Sequence, residues 1–219
     1  MNERMKQAAE SRDINAMYQL IGEDVNLLDN IDKLPYVLTP IHIAASAGHI
    51  QFTTDMMGLK PSFAWKLNPD EFSPIHLALE NGHFELVRQL LQFDRDLVHI
   101  KGKECLTPLH YVVAAADHHI DLLDKFLLAY LDSIADVMVR NETALHIALK
   151  YDQLKAFKFL VEWLVRNWFK NALLNKDPIL NWKDSEGNTM LHIAISKNKT
   201  QASSLSHHQH LLSINKIWI

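Results

Sequence analysis

The chain has 219 residues, of which 48% are hydrophobic and 22% are charged. This balance is typical of a globular protein that buries a core, and it excludes a disordered or fibrous chain. The formal net charge of −4 gives no general electrostatic attraction for nucleic acid or for an anionic membrane, so neither is expected as a partner.

Several features of the sequence predict an intracellular protein. Cys105 is the single cysteine, which excludes an internal disulfide and suits a reducing compartment. The first 25 residues carry charges throughout and lack the apolar run of a signal peptide. The most apolar long window, residues 156–174, contains four charged residues, too many for a bilayer helix. We therefore expect no membrane span and a cytoplasmic location, or attachment to the cytosolic face of a membrane through a partner.

In chain order, the first pattern is a helix-turn-helix in the N-terminal segment. Apolar residues at positions 5, 8 and 9 precede a polar turn at 11–13, and apolar residues follow at 14, 17, 20 and 21. This spacing predicts two short amphipathic helices. Their outer positions are polar, as the end of a stack of helices requires. We predict a capping repeat over residues 1–36.

One short phrase then recurs five times, as TPIHIA, SPIHLA, TPLHYV, TALHIA and TMLHIA. Successive histidines of the phrase are 34, 34, 36 and 46 residues apart, which fits the ~33-residue period of ankyrin repeats with two insertions. A tetratricopeptide array has a similar period, but its tryptophan and tyrosine signature is absent here. In period and in wording the chain therefore resembles an ankyrin-repeat protein.

The phrase itself predicts the start of a helix. A Ser or Thr hydroxyl can accept from the free amides of the first turn, and proline fits the first helical position. The histidine, at the third helical position, can reach back to the cap or across to a neighbouring loop, much as Glu does in a capping box. We predict structural rather than catalytic roles for these cap and histidine residues: Thr39, His42, Ser73, His76, Thr107, His110, Thr143, His146, Thr189 and His192.

Each first helix is expected to turn into a second helix and then into an extended hairpin connector. Gly48 and Gly82 stand where a left-handed residue ends the first helix, and apolar spacing over 84–91 and 120–127 predicts second helices. The expected fold is an all-α ankyrin-repeat solenoid of stacked helix-turn-helix units. We place its repeats at 37–70, 71–104, 105–140 and 141–186, followed by an incomplete terminal repeat and divergent tail at 187–219.

Two of these repeats are irregular. In the third, Ala116 replaces the turn glycine and the helix-and-turn stretch is two residues longer, so an altered turn is expected. In the fourth, a long insertion predicts a lengthened second helix over 154–174 and a loop over 175–180. Aromatic residues at roughly helical spacing are more often core than ligand pocket, which assigns four residues to the core: Trp163, Trp168, Phe169 and Trp182.

The connectors carry a more specific resemblance. Stretches such as LKPSFAWKLNPDEFSPIHLALENGHFELV and NWKDSEGNTMLHIAI resemble plant ankyrin-repeat proteins that end in a membrane-spanning PGG domain, particularly the BDA-like branch, over about residues 1–200. The resemblance implies an intracellular adaptor in defence and cell-death signalling, often at membranes. After Asn198 the chain departs from that pattern, as a splice variant, a frameshifted gene model or a truncated copy would. A truncated copy that has lost function, or that competes with a full-length relative, is the alternative to an adaptor.

The sequence contains no catalytic or cofactor motif: neither a nucleophile elbow, a phosphate loop, HExxH nor paired cysteines. We therefore expect a protein that is not an enzyme and that holds no cofactor and no metal. The histidines at 118, 119, 207, 208 and 210 are interpreted as solvated loop residues, and Cys105 is given no role. The alternative is an enzyme or metal site seated in the fourth-repeat insertion.

Ankyrin arrays bind other proteins through their connector tips and the exposed side of their first helices. Alignment on the cap residue gives the candidate partner-binding residues: Tyr36, Leu38, Ser46, Asp70, Phe72, Glu80, Asn81, Lys103, Glu104, Arg140, Glu142, Lys150 and Tyr151. Aromatic residues and Arg are enriched at binding hot spots, so the preferred anchors are Tyr36, Phe72, Arg140 and Tyr151. For Leu38 and Phe72 the alternative is packing of connector on connector.

Overall fold

The computed structural model describes residues 2–114, 120–167 and 179–197. Regular structure in these ranges is helical, apart from isolated β-bridges between Tyr36 and Leu67 and between Val137 and Thr143. The chain divides into two compact units, an N-terminal unit, Met1–Tyr111, and a C-terminal unit, Val112–Ile219. The all-α fold expected from the sequence is confirmed.

Helices of the N-terminal unit come in stacked pairs. In chain order they are α1 (Glu3–Ser11), α2 (Ile14–Glu23), α3 (Leu27–Asp32), α4 (Pro40–Ser46), α5 (Ile50–Leu59), α6 (Pro74–Glu80) and α7 (Phe84–Phe93), and α8 (Pro108–Ala114) begins in this unit. Turns of 3₁₀ helix lie at Pro61–Trp65 and Arg95–His99, and Lys103–Cys105 forms a tight turn with positive φ at Glu104 and Cys105. The first helices α1, α4 and α6 contact one another in turn, and the second helices α5 and α7 do the same.

The C-terminal unit follows the same plan. Its helices are α9 (Ile120–Ala129), α10 (Ala144–Lys150), α11 (Leu154–Asn167) and α12 (Met190–Ser196), with 3₁₀ turns at Leu131–Ala135 and Ile179–Asn181. The first helix α10 contacts α12, and the second helix α11 contacts both α10 and α9. The second 3₁₀ turn begins inside the stretch predicted to be a loop, because the apolar side chains of Ile179 and Leu180 are buried there.

Burial follows the apolar spacing of the second helices. In α7 the residues facing the core are Leu86, Val87, Leu90 and Leu91, and in α9 they are Leu122, Leu123, Phe126 and Leu127. Full burial of one such side chain is worth roughly 1.5–3 kcal/mol. The two second helices predicted from this spacing are confirmed.

The long helix of the fourth repeat is confirmed in part. Helix α11 begins at Leu154, as predicted, and runs through 14 residues to Asn167. Trp163 is 5% exposed, so its assignment to the core is confirmed. The rest of the predicted helix, with Trp168 and Phe169, lies outside the described residues.

Left-handed residues end the first helices, because the chain must reverse direction within a few residues. Gly48 and Gly82 have φ angles of 73° and 74°, as their positions in the sequence predict. In the fourth repeat Asp152 occupies the matching position with φ 64°. The altered turn expected at Ala116, and the tail from residue 198 onwards, lie outside the described residues.

Candidate functional site

The cap and histidine of the repeated phrase form the same local contacts five times. In the first phrase the Thr39 N–H donates to His42 Nδ1 at 3.1 Å, and the threonine hydroxyl lies 2.8 Å from the same nitrogen. The hydroxyl-to-Nδ1 distance is 2.7–2.8 Å in the other phrases, which begin at Ser73, Thr107, Thr143 and Thr189. The phrase thus acts as a capping box in which histidine takes the place of Glu.

The second ring nitrogen of His42 and that of His76 reach the following connector. His42 Nε2 lies 3.0 Å from the carbonyl oxygen of Phe72 and 3.1 Å from that of Lys66. His76 Nε2 lies 3.0 Å from the carbonyl oxygen of Leu106. Because Nδ1 accepts from the backbone, the proton resides on Nε2, which donates to these carbonyls. These two histidines therefore tie their helix starts to the next connector.

Burial keeps these imidazoles neutral at pH 7. It lowers the pKa of His42 and the pKa of His76 to about 4, against the opposing effect of the carbonyl groups that they bond. Burial also lowers the pKa of His146, where the backbone of Asn188 opposes it. For His42 and His76, a neutral ring with both nitrogens engaged fits the structural role predicted for these residues.

Each connector from the second onwards ends in a tight turn that a backbone hydrogen bond closes. The bonds run from the N–H to the carbonyl oxygen in four pairs: Asn68 to Phe72 (2.8 Å), Gly102 to Leu106 (2.9 Å), Met138 to Glu142 (3.1 Å) and Asp184 to Asn188 (2.9 Å). Adjacent turns are also linked within each unit. The Lys103 N–H donates to Glu71 O at 3.0 Å, and the Ser185 N–H donates to Arg140 O at 2.8 Å. The side chains at the tips therefore project from a fixed backbone frame.

Most of the predicted partner-binding residues lie at the surface of their own unit. The exposed ones are Tyr36, Asp70, Glu80, Asn81, Lys103 and Glu104 in the N-terminal unit and Arg140 and Tyr151 in the C-terminal unit. The half-buried ones are Leu38, Ser46, Phe72 and Lys150. The aromatic anchors Tyr36 and Tyr151 are 58% and 55% exposed, so most of each ring is open to a partner.

Glu142 corrects the sequence prediction. The residue is 6% exposed, and Lys150 Nζ lies 2.8 Å from its carboxylate Oε1. The position directly before a cap lies between the connector and the helices, where Leu38, Phe72 and Leu106 are also half-buried. Glu142 and Lys150 therefore bond each other, and the carboxylate is not presented to a partner.

Phe72 packs within its own unit. Its ring centroid lies 6.4 Å from that of His76, and 6.4 Å from that of Tyr111 at an interplanar angle of 74°. Edge-to-face aromatic pairs of this kind add stability beyond the area that they bury. Of the two interpretations of Phe72, these contacts favour connector packing.

A groove opens in the N-terminal unit between α4, α6 and the second connector turn. It has a volume of about 410 Å³ and is lined by Leu38, His42, Ile43, Ser46, Ala47, Asn68 and Leu77. At one end Asn81 Nδ2 donates to Ser46 Oγ at 3.3 Å. The repeat positions of Leu38, Ser46 and Asn81 made them candidates from the sequence, but their meeting in one groove depends on the stacking of α6 on α4.

The residue after the left-handed turn makes a contact that the sequence pattern does not predict. His49 Nδ1 lies 2.9 Å from the carbonyl oxygen of Ala9, and His83 Nε2 lies 3.0 Å from that of Ser46. In the fourth repeat Gln153 Nε2 donates to a carbonyl of α8 at 3.1 Å. Each of these residues bonds the first helix of the preceding repeat. The Gly-His pair shared by the first two turns was the available signal in the sequence.

Within 2–114, 120–167 and 179–197, no group of three or more His, Cys, Asp or Glu side chains is arranged to hold a metal ion. No helix in the described part of the chain is both long and apolar enough to cross a membrane. Cys105 is a half-buried free thiol in the third connector.

Stacked helix pairs with capped starts and hairpin connectors define a helical repeat protein. Sequence comparison identifies the family of these repeats. Residues 5–101 and 75–171 match the profile of ankyrin repeats in three copies. These matches span more than half of the chain, which therefore belongs to the ankyrin-repeat family. Ankyrin repeats are protein-interaction modules.

Among individual proteins, the chain is similar to Ankyrin repeat-containing protein BDA1 of Arabidopsis thaliana, with 39% identity over 68 residues. The match covers 31% of this chain and 16% of that relative, so it represents less than a fifth of the relative's length. A chain in the solved structure of the Bd0816 predatory endopeptidase from Bdellovibrio bacteriovorus in complex with immunity protein Bd3460 superposes with a TM-score of 0.68. That likeness covers 94% of this chain and 97% of the other at 20% identity, and it shows a shared fold alone.

Proposed function

We propose that this chain is a non-catalytic protein-binding module that serves as a cytoplasmic adaptor in plant defence signalling. The observation that carries the proposal is a backbone frame that stays constant from repeat to repeat, while the side chains exposed on it vary. The capping boxes and the hydrogen-bonded turns recur from repeat to repeat. The exposed residues on that frame differ at every tip, which is how repeat proteins vary their binding surface while keeping one fold.

The defence role is the finer part of the proposal. Its support is the resemblance of the connectors to the BDA-like branch, together with the 39% identity to BDA1 over 68 residues. The protein-binding part does not depend on that resemblance, because it rests on the repeat architecture. The two parts therefore require separate tests.

Partner capture from plant tissue tests the binding proposal. We expect the triple substitution Tyr36→Ala, Arg140→Ala and Tyr151→Ala to weaken capture by about 2 kcal/mol or more, since truncation of exposed aromatic and Arg anchors has effects of this size. Circular dichroism should show unchanged helical content, because all three residues are exposed.

A matched control removes an exposed Tyr and an exposed Arg from second helices, Tyr18 in α2 and Arg166 in α11. The double substitution Tyr18→Ala and Arg166→Ala should leave capture unchanged. Equal loss in both variants, or full capture by the folded triple variant, would show that the partner docks elsewhere. Capture of defence-signalling proteins in particular is the result expected from the finer part of the proposal.

A further inference from the structure

The groove in the N-terminal unit differs in its chemistry from the connector tips around it. Its lining is largely apolar, with Leu38, Ile43, Ala47 and Leu77. The backbone around it is fixed, because His42 lies beneath it and bonds the carbonyls of the second connector. Mostly apolar concave sites with a few polar groups are the usual places for a partner's side chain to bind.

The next repeat shows what fills the same space when the groove is closed. Aligned on the cap residue, Leu38 corresponds to Phe72 and Leu77 corresponds to Tyr111. The rings of Phe72 and Tyr111 pack edge to face with centroids 6.4 Å apart. Two aliphatic side chains at these positions thus leave open a site that two aromatic rings occupy one repeat later.

The uncompensated charged side chains around the groove are negative. The four segments that border it are the end of the first connector at 34–38, α4, the turn at 68–72 and α6, all of which the structure describes, and their charged side chains are Asp70, Glu71 and Glu80. All three are exposed. Lys66, at the base of the same connector, bonds the Asp32 carboxylate at 3.2 Å and the Leu34 carbonyl at 3.1 Å. The positive charge of Lys66 is therefore already compensated by groups of the protein itself.

We infer that this groove binds a peptide segment in which an aliphatic side chain is flanked by Lys or Arg. The aliphatic side chain would occupy the space between Leu38 and Leu77, in the place that the half-buried rings of Phe72 and Tyr111 fill in the next repeat. The flanking cations would face Asp70, Glu71 and Glu80, and complementary charge of this kind steers encounter and sets specificity. The inference rests on the proposed function and names the class of partner for that surface.

Selection of phage-displayed random 12-residue peptides on the full chain tests the inference. We expect enrichment of sequences with Leu, Ile or Met beside Lys or Arg, and a synthetic peptide of the enriched sequence then serves as the probe. Methyl resonances of Leu38, Ile43 and Leu77 should shift when this peptide is added. Selection of no peptide, selection of acidic peptides, or unmoved methyl resonances would overturn the inference.

One variant fills the groove by placing at positions 38 and 77 the side chains that the next repeat has at the corresponding positions. We expect Leu38→Phe with Leu77→Tyr to weaken peptide binding at least tenfold while helical content is kept, because the next repeat accommodates the same pair as Phe72 and Tyr111. The charge variant Asp70→Asn, Glu71→Gln and Glu80→Gln should also weaken binding at least tenfold and should reduce its dependence on salt. Glu3→Gln with Glu10→Gln, two exposed acids of α1, is the matched control and should bind normally.

Failure of this inference is distinguishable from failure of the proposed function. A protein that still captures its partner after Leu38→Phe and Leu77→Tyr, but loses it after the Tyr36, Arg140 and Tyr151 substitutions, is a binding module that does not use the groove. A protein from which neither set of substitutions removes a captured partner contradicts both proposals.

Discussion

At the scale of single residues, Gly48 and Gly82 share one backbone conformation but differ in the space available for a side chain. Both have φ near 73–74°, which disfavours any side chain. A Cβ on Gly48 would lie 2.6 Å from Nδ1 of His83, whereas a Cβ on Gly82 would meet nothing nearer than a Phe84 ring atom at 3.9 Å. The difference arises because His83 crosses to the carbonyl of Ser46 directly beside Gly48.

We therefore expect Gly48→Ala to destabilise the protein more than Gly82→Ala. Both changes carry the left-handed penalty of about 1–2 kcal/mol. Gly48→Ala must in addition displace His83 and break its bond, which adds about 1 kcal/mol. Urea denaturation of the two variants measures the difference.

Gly58 supplies the control for these glycine substitutions. It lies inside α5, and a Cβ there would meet nothing within 4 Å. Gly58→Ala should therefore be neutral or stabilising, because alanine is the better helix former. Equal loss of stability in the Gly48 and Gly82 variants would contradict the role assigned to His83.

At the scale of elements, the helix pairs depend on one another for burial. A first helix of seven residues, such as α8, is too short to be stable alone. Its Leu109 is fully buried at 0% exposure. Damage to such a residue removes contacts that the neighbouring elements need, since each repeat buries its apolar face against the next.

Leu109→Asp tests this dependence. An unpaired buried charge is among the few single changes that cost about 4 kcal/mol or more, and domain stabilities are typically ~5–15 kcal/mol. We expect a fall in melting temperature of roughly 10 °C. Leu128→Asp is the control, because Leu128 in α9 is 64% exposed, and it should melt like the parent. If the Leu109 variant melts within a degree or two of the parent, the repeat assignment is wrong.

At the scale of the whole molecule, the buried histidines make stability depend on pH. The pKa of His42 and the pKa of His76 are lowered by burial to about 4 in the folded protein, against about 6.5 in an unfolded chain. As the pH falls below 6.5 the unfolded chain takes up protons on these rings and the folded protein does not. Stability is therefore full above pH 6.5 and is lost progressively down to about pH 4.

We expect each of the two rings to reduce the free energy of unfolding by about 2 kcal/mol between pH 7.5 and pH 5.0, at about 1.4 kcal/mol for each pH unit below 6.5. Urea titrations at the two pH values measure this loss. His42→Gln with His76→Gln should make it smaller, because Gln can replace the capping contact without taking up a proton. His192→Gln is the control, since His192 has the same cap contact on an exposed surface. An unchanged loss in the double variant would show that other groups cause it.

The sequence by itself determined the helix starts, the left-handed turns and the repeat class of this protein. Each of these depends on groups a few residues apart, such as the cap hydroxyl of Thr39 and the ring of His42. The residues that form such contacts lie within one phrase of six residues. They can therefore be recognised in the sequence without knowledge of the neighbouring repeats. The apolar spacing of α7 and α9 is equally local, and it predicted which residues are buried there.

Tertiary structure alone decided which surface residues are available to a partner. Glu142 has the sequence position of a tip residue, yet Lys150 and the surrounding helices bury it. The space between Leu38 and Leu77 is open where Phe72 and Tyr111 fill the same place one repeat later. In each case the outcome depends on side chains that come from different elements and meet through stacking or chain reversal. Burial and cavity shape are set by the volumes of those neighbours, and no single phrase of the sequence contains them.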